Sequence, residues 1–247
     1  EEIASFWNID TDFLPTKRGM FQTDIYRAIE TGEIKGLWLI ATNPLSSLPN
    51  TARVRKAMEK LEFCVVQDCY QDSESNQYAH VFLPAATWAE KSGVMTNTER
   101  RVNRITPIID PVGDSRTDFW IFNAMAKRFN ADNRVTFPDN PEAVFDEMKV
   151  LSKGRLCDIS GMNYANIEEN RGIQWPYTEQ QRDNDEPPPA GGKRLYIKDA
   201  AFCTPDGKAN LIPLPFVDNN EVPDEKFPIW LNTGRLVEHW HGRTKTG

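Results

Sequence analysis

Residues 36–50 read GLWLIATNPLSSLPN, residues 51–61 TARVRKAMEKL, residues 62–68 EFCVVQD and residues 79–104 AHVFLPAATWAEKSGVMTNTERRVNR. An apolar run, a polar turn, an amphipathic segment and a second apolar run follow one another without a break. Leu37–Ala41 and Phe63–Val66 are rich in aliphatic and aromatic residues and too short for helices, so they read as buried strands of a parallel sheet. Between them, Val54, Ala57, Met58 and Leu61 recur at helical spacing, with Arg53, Arg55, Lys56, Glu59 and Lys60 on the other side. That pattern is a helix with one apolar stripe. The unit is therefore β-α-β, with a third strand at His80–Leu83. The fold class expected is α/β, a mostly parallel sheet with helices on both faces (Rossmann-like). In such sheets ligands sit beyond the carboxyl ends of the strands. Thr42-Asn43-Pro44 follows the first strand and Gln67-Asp68 ends the second.

Composition narrows the functional classes. The net charge of −7 disfavours a general nucleic-acid binder, which needs clustered Lys and Arg against phosphates. No apolar run reaches membrane-spanning length and no signal peptide opens the chain. Both ends read as interior to a longer polypeptide. The four cysteines, Cys64, Cys69, Cys157 and Cys203, form no C-x-x-C pair, so a zinc or iron–sulfur site from this chain alone is not expected. Cys64 reads as core packing, and scattered cysteines fit a reducing compartment.

Along the rest of the chain, residues 1–15 read as a loop or arriving linker. Asp24–Ile29 reads as a helix ending near Gly32, Ser73–Gln77 as a short helical turn, Ala85–Glu90 as helical and Val102–Ile109 as a strand. Thr117 or Asp118 caps a helix to about Phe129, with Ile121, Ala124, Met125 and Phe129 on one face. Asn140-Pro141 starts another, striped by Val144, Phe145, Met148 and Leu151. Between Lys153 and Trp175 only turns are legible. From Pro176 to Gly192 the composition turns to Gln, Asp, Glu and Pro, an exposed linker. Pro205-Asp206-Gly207 between short apolar runs reads as a β-hairpin, and Phe227–Asn232 as a strand opening a new domain. The domain expectation is residues 1–176 as the α/β domain, 177–226 as a linker with the hairpin, and 227–247 as the first strand of a truncated β-barrel domain.

Four polar constellations stand out. Asn43-Pro44 with Ser46 and Ser47 precedes a helix starting near Asn50 or Thr51, whose free N–H groups suit a phosphate; an ordinary strand-to-helix loop reads equally well. Asp68 could accept two hydrogen bonds from the Watson–Crick edge of guanine, or cap a helix. Residues 96–101, TNTERR, could hold an anion or a heterocycle edge, or form a solvated turn. His239 and His241 flank Trp240, and an H-x-H pair on a strand points both imidazoles to one face. A third metal ligand is not evident, so metal binding by this pair is not expected, and the rival reading is a ligand-pocket lining with Arg235 as anion partner.

Taken together, TNPLSSLPN (42–50), EFCVVQD, the 80–104 segment and TGRLVEHWHGRTKTG (233–247) resemble the molybdopterin-dinucleotide oxidoreductases of the dimethyl-sulfoxide-reductase type. GRLCDISGM (154–162), RGIQWP (171–176) and EHWH (238–241) make the chain most similar to assimilatory nitrate reductases, while formate dehydrogenases share most of the same pieces. The resemblance implies an internal fragment that grips one dinucleotide of molybdenum bis(molybdopterin guanine dinucleotide). It implies cofactor contacts from Asn43, Ser47, Asp68, Asn97, Glu99, Arg100, Thr233, Arg235, His239 and His241, with Arg235 as a possible substrate guide. The iron–sulfur cluster and the molybdenum ligand would belong to sequence preceding this chain, so the fragment alone should be inactive. The intact cytoplasmic enzyme would reduce nitrate to nitrite with electrons from ferredoxin, flavodoxin or an NADH-linked reductase subunit. The rivals are a formate dehydrogenase of the same superfamily and a cofactor-free structural subunit of a respiratory complex. Asp72 stands where relatives carry Thr or a similar donor, so no phosphate contact is carried over there. Asn103 replaces a longer glutamine.

Overall fold

The computed structural model describes residues 2–129, 137–192, 194–195, 202, 204–219, 221–232 and 234. They divide into two compact units, Glu1–Gly192 and Lys193–Gly247. The first unit opens with a helix, α1 (Glu2–Trp7), where a loop is expected from sequence. Tertiary contacts explain it: Trp7 Nε1 donates to Glu147 Oε1 at 2.7 Å, Glu2 pairs with Arg155, and Ala4 is buried. Helix α2 (Gln22–Glu30) ends as expected at Gly32, whose φ of +79° suits glycine. The N–H of Glu33 bonds to Ala28 O and that of Gly32 to Ile29 O, a paired closure that satisfies the last carbonyls.

Strands β1 (Gly36–Ile40), β2 (Phe63–Asp68) and β3 (Val81–Pro84) form a parallel sheet in that order, with Leu37 beside Cys64 and Val66 beside Phe82. A four-residue helix, α3 (Pro44–Ser47), occupies the loop after β1, and α4 (Thr51–Met58) follows it. Leu39, Cys64 and Val66 face α2 and α4 in a core with Ile29, Val54, Ala57, Met58 and Leu61. Each large aliphatic side chain buried there contributes about 1.5–3 kcal/mol. Cys64 is part of that core, and burial pushes its thiol up from the ordinary value. The opposite face carries Trp38 and Gln67. There α5 (Asp118–Phe129) lies, with the Trp38 and Phe122 rings 5.8 Å apart and Gln67 Nε2 donating to Asp118 Oδ1 at 2.8 Å. Helices thus cover both faces of the parallel sheet. Burial pushes the Asp118 carboxyl up, but hydrogen bonds from Lys91 and Gln67 outweigh it and leave it below the usual carboxylate range.

Thr117 Oγ1 accepts from Trp120 N at 3.2 Å, the expected cap of α5, although Phe129 at its end lies exposed. Asn140 caps α6 (Pro141–Ser152), which buries Phe145 and leaves Met148 exposed. The expected helix at Ala85–Glu90 is reduced to one tight turn at Trp88–Glu90. The sheet claims the earlier donors: Ala85 N bonds to Asp68 O and Ala86 N to Arg116 O.

A second, antiparallel sheet joins β4 (Gly93–Thr96), β5 (Arg101–Ile105) and β6 (Ile173–Gln174); β5 is the strand expected over Val102–Ile109, stopping at Ile105, while β4 and β6 are not anticipated from sequence. Helix α7 (Tyr164–Glu169), held by a reciprocal Asn163–Asn166 cap, lies within the region that reads only as turns. Val102, Phe145, Ile159, Met162, Ile167, Ile173 and Tyr177 form a second core. The start of the expected linker belongs to this part of the fold. Tyr177 is buried, α8 (Glu179–Asp183) follows it, and Pro189 O accepts from Gln174 N at 2.8 Å.

In the second unit the Pro205-Asp206-Gly207 turn forms, with Asp206 Oδ1 accepting from Thr204 Oγ1 and Lys208 N. Its expected flanking strand at Ala209–Ile212 does not form, nor does a strand over Phe227–Asn232; no strand lies among the described residues of this unit. Leu211, Leu214, Phe216, Ile229 and Leu231 are all exposed, so they lack the buried face that strand pairing would serve. No helix among the described residues is long and apolar enough to cross a membrane.

Candidate functional site

Parallel register puts the ends of β1 and β2 side by side: Ile40 pairs with Gln67, and Ala41 N donates to Gln67 O at 2.9 Å. Asn43 and Asp68 therefore share one edge, the carboxyl edge where such sheets take ligands. Ala41 adopts φ +50°, turning the chain sharply off the strand tip. Asp68 Oδ1 accepts from Tyr70 N at 3.1 Å, which fixes the carboxylate against the first turn of the connector. Asp68 does not cap a helix; a connector of turns follows it up to the short helical turn Asn76–Tyr78. Ser47 closes α3, exposed, with its N–H bonded to Asn43 O.

The residues between β2 and β3 complete this edge. Ser75 Oγ donates to Asn43 Oδ1 at 2.6 Å and accepts from Leu45 N at 3.2 Å, and Asn43 Nδ2 donates to Glu74 Oε2 at 2.6 Å. Sequence reasoning missed Glu74 and Ser75, since they sit in a polar turn with no periodic signal. The connector is tied further by Asn76 Nδ2 donating to Tyr70 O at 2.6 Å.

Asn97, Glu99 and Arg100 come together in the tight turn joining β4 to β5. Asn97 Oδ1 accepts from Glu99 N at 3.0 Å and Arg101 N at 3.1 Å, an Asx-type turn. Arg100 adopts φ +61°, and its guanidinium lies 5.2 Å over the Trp175 ring while Nη1 donates to Trp175 O at 2.6 Å. Glu99 O accepts from Gln174 Nε2 at 2.9 Å. Arg101 braces the same region through Ala190 O, Asn170 O and Arg171 O. The RGIQWP segment is thus the wall against which the arginine turn is built. Asn103 stays local, donating to Arg101 O at 3.0 Å. Sequence-expected site residues therefore fall into two groups, one at each sheet. Thr233, Arg235, His239 and His241 lie outside the described residues. Among the described residues no three His, Cys, Asp or Glu side chains are arranged to hold a metal ion.

This architecture, a parallel sheet with an asparagine turn and an aspartate at its carboxyl edge, coincides with a family match. Residues 14–128 match the molybdopterin oxidoreductase family, and this part of the chain belongs to it. The particular relatives are mainly nitrate reductases. The chain is 36% identical over 247 residues to a nitrate reductase of Synechocystis sp., covering 100% of this chain and 34% of that protein. It is 35% identical over 242 residues to the assimilatory nitrate reductase catalytic subunit of Bacillus subtilis, covering 96% and 32%. It is also 33% identical over 218 residues to the F420-dependent formate dehydrogenase subunit alpha of Methanocaldococcus jannaschii, covering 88% and 30%. The chain spans about a third of the length of these relatives.

Proposed function

We propose that this chain is part of a molybdenum-dependent nitrate reductase and grips one molybdopterin guanine dinucleotide across the carboxyl edge of its parallel sheet. The observation that carries this reading is Asp68 at the tip of β2. Its Oδ1 meets only the Tyr70 N–H and its Oδ2 meets no donor among the described residues, so the carboxylate keeps acceptor capacity at the ligand edge. Guanine offers a ring N–H and an amino group side by side, and a carboxylate matches that pair with two parallel hydrogen bonds. The residues present fit the group: a carboxylate for the base, an oriented carboxamide at Asn43, and an arginine turn backed by Trp175 for an anionic or planar part.

When bound, the cofactor supplies a molybdenum centre able to take an oxygen atom from nitrate. The chain's own contribution is to hold and orient the dinucleotide. In this reading the iron–sulfur cluster lies in sequence outside the chain, the electron donor is ferredoxin, flavodoxin or an NADH-linked subunit, and the enzyme is cytoplasmic. Thr233, Arg235, His239 and His241 would reach the pterin and the substrate pocket.

The identity to a formate dehydrogenase supports one rival. Purified intact protein given reduced viologen and nitrate is expected to form nitrite. Formate-dependent viologen reduction without nitrite formation would transfer the assignment to formate dehydrogenase, and absence of molybdenum would assign a structural subunit.

A further inference from the structure

The side chain of Asn43 does not do what its position calls for. Asn43 is the N-cap of α3, where asparagine ordinarily accepts from the second or third helical N–H. It makes no such bond. The second helical N–H, that of Leu45, is taken instead by Ser75 Oγ, from 30 residues away. Ser75 is 0% exposed, so this substitute cap is a built feature of the interior.

The same contacts fix which way the Asn43 carboxamide points. The Glu74 carboxylate can only accept, so it must face the amide nitrogen. With the amide nitrogen turned to Glu74, the atom facing Ser75 is Oδ1, and Ser75 Oγ, whose oxygen accepts from Leu45 N, gives it its one proton. The Glu74 carboxyl is held below the usual carboxylate range, first by the Asn43 hydrogen bond and then by a backbone hydrogen bond. The amide nitrogen has two protons; Glu74 takes one, and the other has no acceptor among the described residues.

We infer that Glu74 and Ser75 are positioning residues that relieve Asn43 of capping and lock its carboxamide so that the second N–H serves as a donor to the bound dinucleotide. This rests on the reading of the sheet edge as a dinucleotide site. With Glu74 2.6 Å from that amide and Asp68 on the neighbouring strand, a phosphate there would meet two negative charges. The acceptor is therefore a neutral oxygen of the nucleoside end, a ribose hydroxyl or the guanine carbonyl. The phosphate anticipated beside the Asn43 turn belongs elsewhere.

The test measures guanine released per polypeptide by acid hydrolysis of the intact purified protein, alongside its thermal midpoint. Glu74 is exposed, so Glu74→Ala should leave the midpoint unchanged while guanine retention falls roughly threefold to tenfold, as loss of one oriented hydrogen bond implies. Glu74→Gln keeps an acceptor oxygen and should restore retention. Combining Asn43→Asp with Glu74→Gln rebuilds the bond with its polarity reversed; it should recover the midpoint of Asn43→Asp but not its guanine. Full retention in Glu74→Ala, no rescue by Glu74→Gln, or guanine restored by the double exchange would each overturn the inference. Asp68→Ala separates the two levels: retention there as well sinks the dinucleotide reading itself, whereas loss there with none in Glu74→Ala sinks only the positioning role.

Discussion

Asp68→Ala in the intact protein is expected to leave a folded polypeptide that has lost most of its molybdenum and guanine. The carboxylate ends β2 half-buried, and its side chain makes one bond within the fold, from Tyr70 N. Removing it therefore costs the sheet little. In the proposed binding mode it removes two charge-assisted hydrogen bonds at one stroke, and bonds to charged groups are worth about 1.5–3 kcal/mol each. Retention should fall by roughly two to four orders of magnitude. Asp68→Asn should be nearly as damaging, because the amide presents one acceptor where guanine offers two donors. Metal analysis and guanine content measured on the same sample check this. Normal content of both in Asp68→Ala would remove the aspartate from the site.

Gly161→Ala should produce a large loss of stability for a single methyl group. A Cβ on Gly161 would lie 2.4 Å from Thr178 O and 2.8 Å from Thr178 C, with the Tyr177 ring at 2.9 Å. Two of those atoms are backbone and cannot swing aside. Gly161 N also donates to Tyr177 O at 2.9 Å, so relief of the clash strains one of the contacts that draw residues 177–192 onto the fold. Overpacking of this kind costs about 3 kcal/mol. A denaturant midpoint lowered to match, with an unchanged slope, is the expected result. A loss under about 1 kcal/mol would mean that the Tyr177–Thr178 segment is free to move away.

The parallel sheet was legible because helices pack against both of its faces, so its strands appear as near-continuous apolar runs, such as Leu37–Ile40 and Cys64–Val66. The stripe of α4 was legible because Val54, Ala57, Met58 and Leu61 meet a single core. Of the second sheet only β5 was, within the strand read over Val102–Ile109, and its partners were not. β5 reads Arg-Val-Asn-Arg-Ile, a polar strand whose partner β6 is two residues long and about 70 positions away. Its pairing depends on Arg101 and Gln174 bonding to backbone carbonyls, which leaves no period in the sequence. α1 and the 177–192 stretch were hidden for the same reason: each is held by contacts with distant segments rather than by local preference.

The candidate site divides along the same line. Asn43 and Asp68 could be found because strand ends in a parallel sheet mark a ligand edge before any coordinate is known. Glu74 and Ser75 could not, since nothing in DSES (72–75) tells that one side chain will cap a helix formed by residues 44–47. The arginine turn was visible as a cluster, but its wall, Trp175, was visible only as part of a family-like motif.

A structure of the intact protein with its native cofactor would decide whether the dinucleotide lies on this sheet edge. The account predicts the guanine edge within about 3 Å of both Asp68 oxygens, with the Asn43 amide on an oxygen of the same nucleoside. A cofactor whose nucleoside ends lie away from the carboxyl edge of β1–β3, with Asp68 facing only solvent or protein, would contradict it.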